Sequence, residues 1–295
     1  MEVLPKIRGT YRENFSIGKN TWFGVGGICD ILFKPEDVED LKFFLKYKPQ
    51  SVPVTVLGLA SNLLIRDGGI EGVVIKLGRN FANINIENDQ LHVGAGALDY
   101  NVAIFCREEG LAGLEFLIGI PGTIGGALAM NAGAYGRDIS IILERAEVVD
   151  ENGIEHNLSK DDIGFMYRGN SIPKSWIFTK AIFKIIQGDK QEIADKMNEI
   201  SRNRENTQPI RTKTSGSTFV NPIPLKAWEL IDKAGCRNLR VGGAVISDKH
   251  CNFIINDNYA TALDIETLGN EVRRQVKNAT NIDLEWEIKI IGRYL

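Results

Sequence analysis

The chain has 295 residues, 43% hydrophobic and 25% charged, the composition of a soluble globular protein long enough for two or three domains. Lys and Arg total 35 against 38 Asp and Glu, a net charge of −3 that argues against nucleic-acid binding by bulk positive charge. The four cysteines, Cys29, Cys106, Cys236 and Cys251, form no C-x-x-C and stand far apart, which argues against a zinc knuckle or a disulfide framework.

The N-terminus, Met1 to Lys6, shows no apolar run behind a basic start. It reads as lacking a secretory signal, in keeping with a reducing cytoplasm. Residues 52–57 and 73–77 read as buried strands, and Asp67-Gly68-Gly69 between them as a turn. Asp99 is placed to cap a helix that runs to about Glu109 and stops at Gly110. The stretch 116–136 is 21 residues without a charge, long enough to cross a bilayer. Its six glycines, Pro121 and Asn131 suit a loop approaching a ligand better. Residues 144–150 and 154–158 form a hairpin around Asn152-Gly153. A strand at 176–186 and a charged amphipathic helix at 191–204, opened by Asp189, follow. The polar stretch 207–217 is the domain boundary. Beyond it come a helix at 225–234, short strands at 241–246 and 252–255, and a helix at 261–278. The last strand, 284–291, sets Leu284, Trp286, Ile288 and Ile290 on one face and Glu285, Glu287 and Lys289 on the other. Strands and helices mix without a regular βαβ rhythm, so the fold class is α+β. Trp22, Trp176 and Trp228 are assigned to the core.

Glycine contributes 30 residues, concentrated at 24–27, 58–72 and 119–136. Three clusters suit backbone approaching one large ligand, with N–H groups turned to phosphate oxygens. The familiar nucleotide fingerprints fail. Gly94-Ala95-Gly96-Ala97-Leu98-Asp99 ends in Asp where a Rossmann loop needs Gly, and 164–171 has Asn170 in place of the Walker lysine.

Two segments resemble the flavin-diphosphate loops of the vanillyl-alcohol-oxidase-type FAD domain. They are Val56-Leu57-Gly58-Leu59-Ala60-Ser61-Asn62-Leu63-Leu64-Ile65 and Gly119-Ile120-Pro121-Gly122-Thr123-Ile124-Gly125-Gly126-Ala127, running into Asn131-Ala132-Gly133-Ala134-Tyr135-Gly136. More narrowly, the chain resembles the UDP-N-acetylenolpyruvoylglucosamine reductase family, in its shorter form. Tyr167-Arg168-Gly169-Asn170-Ser171, Ser215-Gly216-Ser217-Thr218-Phe219-Val220-Asn221-Pro222, Val241 to Ser247 with Lys249-His250-Cys251-Asn252-Phe253, and Leu284-Glu285-Trp286-Glu287-Ile288 carry the match. Three positions depart from the family pattern: Gly24 where Arg or Lys is usual, Ala60 where glycine is common, and Trp286 in place of proline.

The resemblance implies a two-lobed FAD-binding domain, with lobes at 1–80 and 81–208. A smaller α+β substrate domain follows at 209–295, its last strand returning to the active site. It implies FAD as bound cofactor, NADPH as cosubstrate, and a monomer acting on the enolpyruvyl ether of UDP-N-acetylglucosamine to make UDP-N-acetylmuramate for peptidoglycan. No metal, membrane or nucleic-acid partner is expected. Cofactor-binding positions carried over are Gly58, Ser61, Asn62 and Leu63, then Gly119, Ile120, Pro121, Gly122, Thr123, Gly125, Gly126, Asn131 and Gly133. Tyr167, Asn221 and His250 match substrate positions, and Arg168, Ser217 and Glu287 the catalytic ones.

In the implied reaction, hydride passes from NADPH to FAD and then to the enol ether, whose neighbouring carbon is protonated. The intermediate gathers charge on its carboxylate, which a guanidinium such as Arg168 stabilises more than it stabilises the substrate. Ser217 is the proton donor. To help a dianion, Glu287 must be protonated or act through another group, and burial favours the protonated form. Each residue also has a structural reading: Ser217 as a turn serine, Arg168 as an ion-pair partner, Glu287 as a solvated strand residue like Glu285, and His250 as a hydrogen-bonded structural histidine. Two other functions stay open: a flavin oxidase or dehydrogenase acting on an alcohol, and a binding protein without activity.

Overall fold

The computed structural model describes residues 4–295. Residues 1–3, on which part of the expectation of no secretory signal rests, lie outside the described residues. The chain divides into two compact units that interleave along the sequence. Met1–Glu13, Ile31–Leu59 and Gly72–Asn203 make the first; Asn14–Asp30, Ala60–Glu71 and Arg204–Leu295 make the second. This differs from the three consecutive segments expected.

The first unit is built on a five-stranded antiparallel sheet in the order Glu155–Ser159, Leu143–Val149, Ile177–Lys184, Gln90–Gly94, Ile84–Glu87. Ile177–Lys184 is its central strand, buried at nearly every position, so its sequence is apolar on both faces. The expected hairpin is present. Asp150 accepts the N–H groups of Asn152 and Ile154, each at 2.9 Å, and Gly153 takes φ +78°. The helix Asp99–Glu109 ends, as expected, at Gly110 with φ +72°. Leu91, Val93, Val102, Leu117, Leu128, Ala181 and Phe183 form the core between helices and sheet. A smaller core gathers Phe33, Leu41, Phe44, Val73 and Ile75 under the helix Val38–Tyr47. The expected strands at 52–57 and 73–77 appear in shorter or shifted form as Val54–Val56 and Ile70–Ile75, paired in parallel from Val54 with Val73.

The uncharged stretch 116–136 breaks into the 3-10 turn Glu115–Gly119, the seven-residue helix Ile124–Met130 and the strand Gly133–Ala134. No helix among the described residues is long and apolar enough to cross a membrane.

The second unit centres on the helix Ala262–Thr280, whose buried stripe includes Ile265, Leu268, Val272 and Val276. Thr261 and Asp264 form a capping box at its start. Asp67 also accepts the N–H groups of Ala262 and Leu263, each at 3.0 Å. That bond, with the Arg66–Glu266 pair at 2.9 Å, explains why 60–71 belongs with the C-terminal part of the chain. A three-stranded antiparallel sheet of Arg240–Val241, Ala244–Ile246 and Ile254–Asn256 and the helix Ala227–Lys233 complete the unit.

The structure corrects two local expectations. Asp99 is not a cap: Leu98 holds the N-cap position, and Asp99 is the first helical residue, 0% exposed. The segment before it runs beside 122–124, so the chain turns into the helix one residue earlier. The last strand is not continuous over 284–291; regular strand covers only Lys289–Ile291. The reason is a change of partner. Glu285 and Glu287 bond antiparallel to Val220 and Thr218, at 2.9 and 2.8 Å, whereas Lys289–Ile291 pairs in parallel with Leu63–Ile65.

Candidate active site

In the first unit, two glycine-rich segments meet. A Cβ at Gly58 would lie 2.5 Å from Thr123 Oγ1, so only glycine lets the end of 54–58 approach the 119–126 loop. At Gly126 a Cβ would meet nothing closer than that same oxygen at 3.6 Å. The loop thus has one tightly packed side and one open side, which fits a diphosphate laid on it. Many of its amides are already committed. Ile120 donates to Leu117 at 3.0 Å, Ile124 to Ala97 at 2.9 Å, Gly125 to Ala95 at 2.8 Å and Gly126 to Thr123 Oγ1 at 3.4 Å. Pro121 has no N–H. Asn131 caps the following helix in the left-handed region at φ +40°; its amide bonds Met166 C=O and Ser140 N–H, each at 3.2 Å. Gly133 lies on the strand paired to Asp138. Tyr135, half exposed, donates its hydroxyl to Ile200 C=O at 3.4 Å.

Arg168 stands at the third position of a tight turn closed by Met166 and Gly169, whose N–H and C=O groups exchange bonds of 3.0 and 3.2 Å. Its φ is +59°, a conformation glycine adopts easily and arginine does not. Four bonds from three side chains clip this turn to the end of the helix Ile124–Met130 and beyond. Asn170 donates to Leu128 and Ala129 carbonyls at 3.1 and 3.3 Å, Asn131 donates to Met166, and Arg168 Nη1 donates to Gly133 C=O at 3.3 Å. The guanidinium also lies 5.0 Å from the centre of the exposed Tyr167 ring. These bonds hold a backbone conformation that is costly for arginine. In the Walker-like stretch, Asn170 and Ser171 serve as clips; Ser171 donates to Ile163 C=O at 3.0 Å.

The second unit brings Ser217 and Glu287 onto neighbouring segments. Glu287 N–H bonds Thr218 C=O at 2.8 Å, and Phe219 pairs with Trp286. Both candidate side chains belong to half-buried residues, while Glu285 is exposed, which separates two glutamates that the alternation alone put on one face. Gly216, at φ +75°, has nothing within 4 Å of its missing side chain. Ser215 donates to Leu63 C=O at 3.2 Å, and Asn62 donates to Glu287 C=O at 3.2 Å. Asn62 and Leu63 are thereby tied to the segments carrying Ser217 and Glu287; Ser61 lies in the same unit.

The departures have local explanations. The Trp286 ring rests on Gly269, where a Cβ would fall 1.9 Å from it, and lies 5.0 Å from Phe219. It anchors the segment from below and leaves Glu287 on the other side. Beside Gly24 runs the Lys213 side chain, its Nζ 3.8 Å from where a residue-24 side chain would begin. Ala60 takes φ +52°, which accounts for glycine being usual there.

His250 is held by protein. Its Nδ1 accepts Asn252 N–H at 3.2 Å, its ring meets Phe253 edge-on at 4.7 Å, and burial lowers its pKa. Asn221 Oδ1 accepts Ala227 N–H at 2.9 Å, at the start of a helix that lacks a side-chain cap of its own. Trp228, expected in the core, is 41% exposed. Burial pushes the thiols of Cys106 up to about 12 and of Cys236 and Cys251 to about 11. Among the described residues no three His, Cys, Asp or Glu side chains cluster as metal ligands. Sequence reading missed Arg66, Asp67 and Glu266 as scaffold and the buried carboxyl of Asp99 beneath the loop.

Comparison with known proteins places these features. Residues 29–159 match the model of an FAD-binding domain, and 208–291 that of the UDP-N-acetylenolpyruvoylglucosamine reductase C-terminal domain. Similar relatives are the UDP-N-acetylenolpyruvoylglucosamine reductases of Rickettsia akari, 51% identical, and Rickettsia prowazekii, 52% identical, each over 295 residues and 100% of both chains. The crystal structure of the corresponding reductase from Thermus caldophilus superposes with a TM-score of 0.83 at 35% identity, covering 97% of this chain and 99% of that one.

Proposed function

The chain belongs to the UDP-N-acetylenolpyruvoylglucosamine reductase family, and from that premise we propose how its own residues carry out the reaction. It is an FAD- and NADPH-dependent UDP-N-acetylmuramate dehydrogenase of peptidoglycan precursor synthesis, with a vanillyl-alcohol-oxidase-type FAD domain. Bound to the chain, the flavin supplies the two-electron transfer between NADPH and the enol ether.

Gly58 and the open side of 119–126 hold the cofactor diphosphate. Since Ile120, Ile124, Gly125 and Gly126 commit their amides within the protein, donation falls to Gly122 and Thr123. Arg168 grips the substrate carboxylate and stabilises the charge that builds on it. The strain at φ +59° supports this, because a purely structural turn would carry glycine there.

Ser217 Oγ gives its proton to the carbon next to the ether oxygen. Glu287, as a neutral acid, donates a hydrogen bond to the same anionic intermediate. The observation that carries this assignment is the Glu287 N–H to Thr218 C=O bond, which sets the two residues on paired backbone. Asn221 and His250 shape the substrate pocket from behind, since each already bonds a backbone amide. The enzyme acts as a monomer in the cytoplasm, where its nucleotide substrates are made.

Stopped-flow flavin absorbance with Ser217→Ala tests the assignment. Flavin reduction by NADPH should proceed at the wild-type rate, while turnover of the enolpyruvyl substrate falls about a thousandfold. Equal loss in both half-reactions would reject Ser217 as the proton donor.

A further inference from the structure

Asp99, like Glu115, is a buried acid of the first unit that the mechanism does not use. Its side chain is 0% exposed, and neither carboxyl oxygen has a hydrogen-bond partner. It stands directly behind the diphosphate loop. A Cβ at Gly122 would lie 2.5 Å from Asp99 Oδ2, so the carboxyl presses on the Cα of Gly122, itself half exposed on its other side. The backbones are paired as well: Asp99 N–H donates to Gly122 C=O at 3.2 Å, Leu98 pairs with Thr123, and Ile124 N–H donates to Ala97 C=O at 2.9 Å.

We propose that Asp99 is a positioning residue for the diphosphate loop, backing the 120–123 turn at Gly122 as a neutral carboxyl, and that loss of its proton loosens the bound flavin. The proposal rests on reading 119–126 as the diphosphate loop.

An unpartnered carboxylate in this position would be stripped of water, and burial alone pushes the Asp99 carboxyl well above the usual range. The surroundings are uncharged. The stretches 93–98 and 116–136 contain no ionisable charge. The titratable groups of the packed elements are His92 on Gln90–Gly94, Tyr100, Cys106, Arg107, Glu108 and Glu109 on its own helix, Glu115 on the 3-10 turn, and Lys180 and Lys184 on the central strand. Of these, Cys106 responds to Glu115, and Lys180 is paired with Glu147 at 2.9 Å. When Asp99 ionises, the donors of the turn it abuts are the amides of Gly122 and Thr123. The carboxylate therefore competes for the groups assigned to the diphosphate and repels that anion across the turn.

The test is flavin release from the holoenzyme, followed by the fluorescence of freed flavin, in wild type and Asp99→Asn between pH 6.5 and 9.5. Wild-type affinity should weaken about tenfold or more across this range, one pKa unit of coupling being tenfold. Asp99→Asn, neutral throughout, should stay within about twofold of the wild-type value at pH 6.5. Parallel pH dependence in both proteins, or an Asn variant already weak at pH 6.5, would overturn the proposal. Should the Asn variant not fold, the infrared band of the protonated carboxyl in wild type must vanish with the same midpoint as flavin release; separate midpoints overturn it equally. A Gly126→Asp variant distinguishes failure of the underlying reading. A Cβ there meets only Thr123 Oγ1, at 3.6 Å, yet the variant should retain no flavin at any pH; retention would mean the diphosphate lies elsewhere.

Discussion

The two units hold their candidate residues by different means. Arg168 sits on a turn beside the exposed Met166 and Tyr167 and is fixed by side-chain bonds from Asn131, Asn170 and its own guanidinium. Ser217 and Glu287 are fixed by backbone bonds between two segments, with Phe219, Trp286 and Ile288 packed beneath. The first arrangement keeps a cation adjustable and stores strain in one residue. The second makes position depend on the apolar core, so a substitution far from the chemistry should disturb it.

Trp286→Ala gives the sharpest break in this contrast. Removing a ring packed on Gly269 and Phe219 should cost about 3 kcal/mol in denaturant unfolding and slow substrate turnover while flavin is retained. If stability hardly changes, the apolar underlay is not what holds Glu287. Asn170→Ala should cost less, about 1–2 kcal/mol, through two lost hydrogen bonds, with faster amide exchange confined to the Arg168 turn. Exchange spreading through the five-stranded sheet would show the turn to be part of the core.

The strain itself is measurable by pairing variants. Arg168→Gly should be about 1 kcal/mol more stable than Arg168→Ala, because both lose the guanidinium and only one keeps a side chain at positive φ. Ala60→Gly should likewise stabilise the second unit by about 1 kcal/mol. Equal melting temperatures for the Gly and Ala variants at 168 would remove strain from the account.

The smallest effect is the Arg66–Glu266 pair, 2.9 Å in both bonds, with Tyr294 OH on the same carboxylate at 3.1 Å. The Arg66 bond holds Glu266 below the usual carboxylate range. A depressed folded-state pKa adds stability that is present above the unfolded value and lost as pH falls through the folded one. Wild type should therefore melt above Glu266→Gln at pH 7, and the gap should close toward pH 3.

Sequence reading located the helices 99–109 and 261–278, the hairpin at Asn152-Gly153 and the glycine loops, because each rests on neighbours in the chain: a cap, a turn residue, a period of apolar side chains. The motif Tyr167-Arg168-Gly169-Asn170-Ser171 was visible as a contiguous run, although its bonds reach Leu128, Ala129 and Ile163 outside it. Alternation puts Glu285 and Glu287 on one face, and only the family motif chose Glu287; that Glu287 is half-buried and Glu285 exposed was set by the packing of segments distant in sequence. The ending of the last strand, the Lys213 stem beside Gly24 and the burial of Asp99 behind Gly122 were likewise decided by segments distant in sequence. Local periodicity sets which residues turn inward; which partner awaits them there is fixed only when the chain closes on itself.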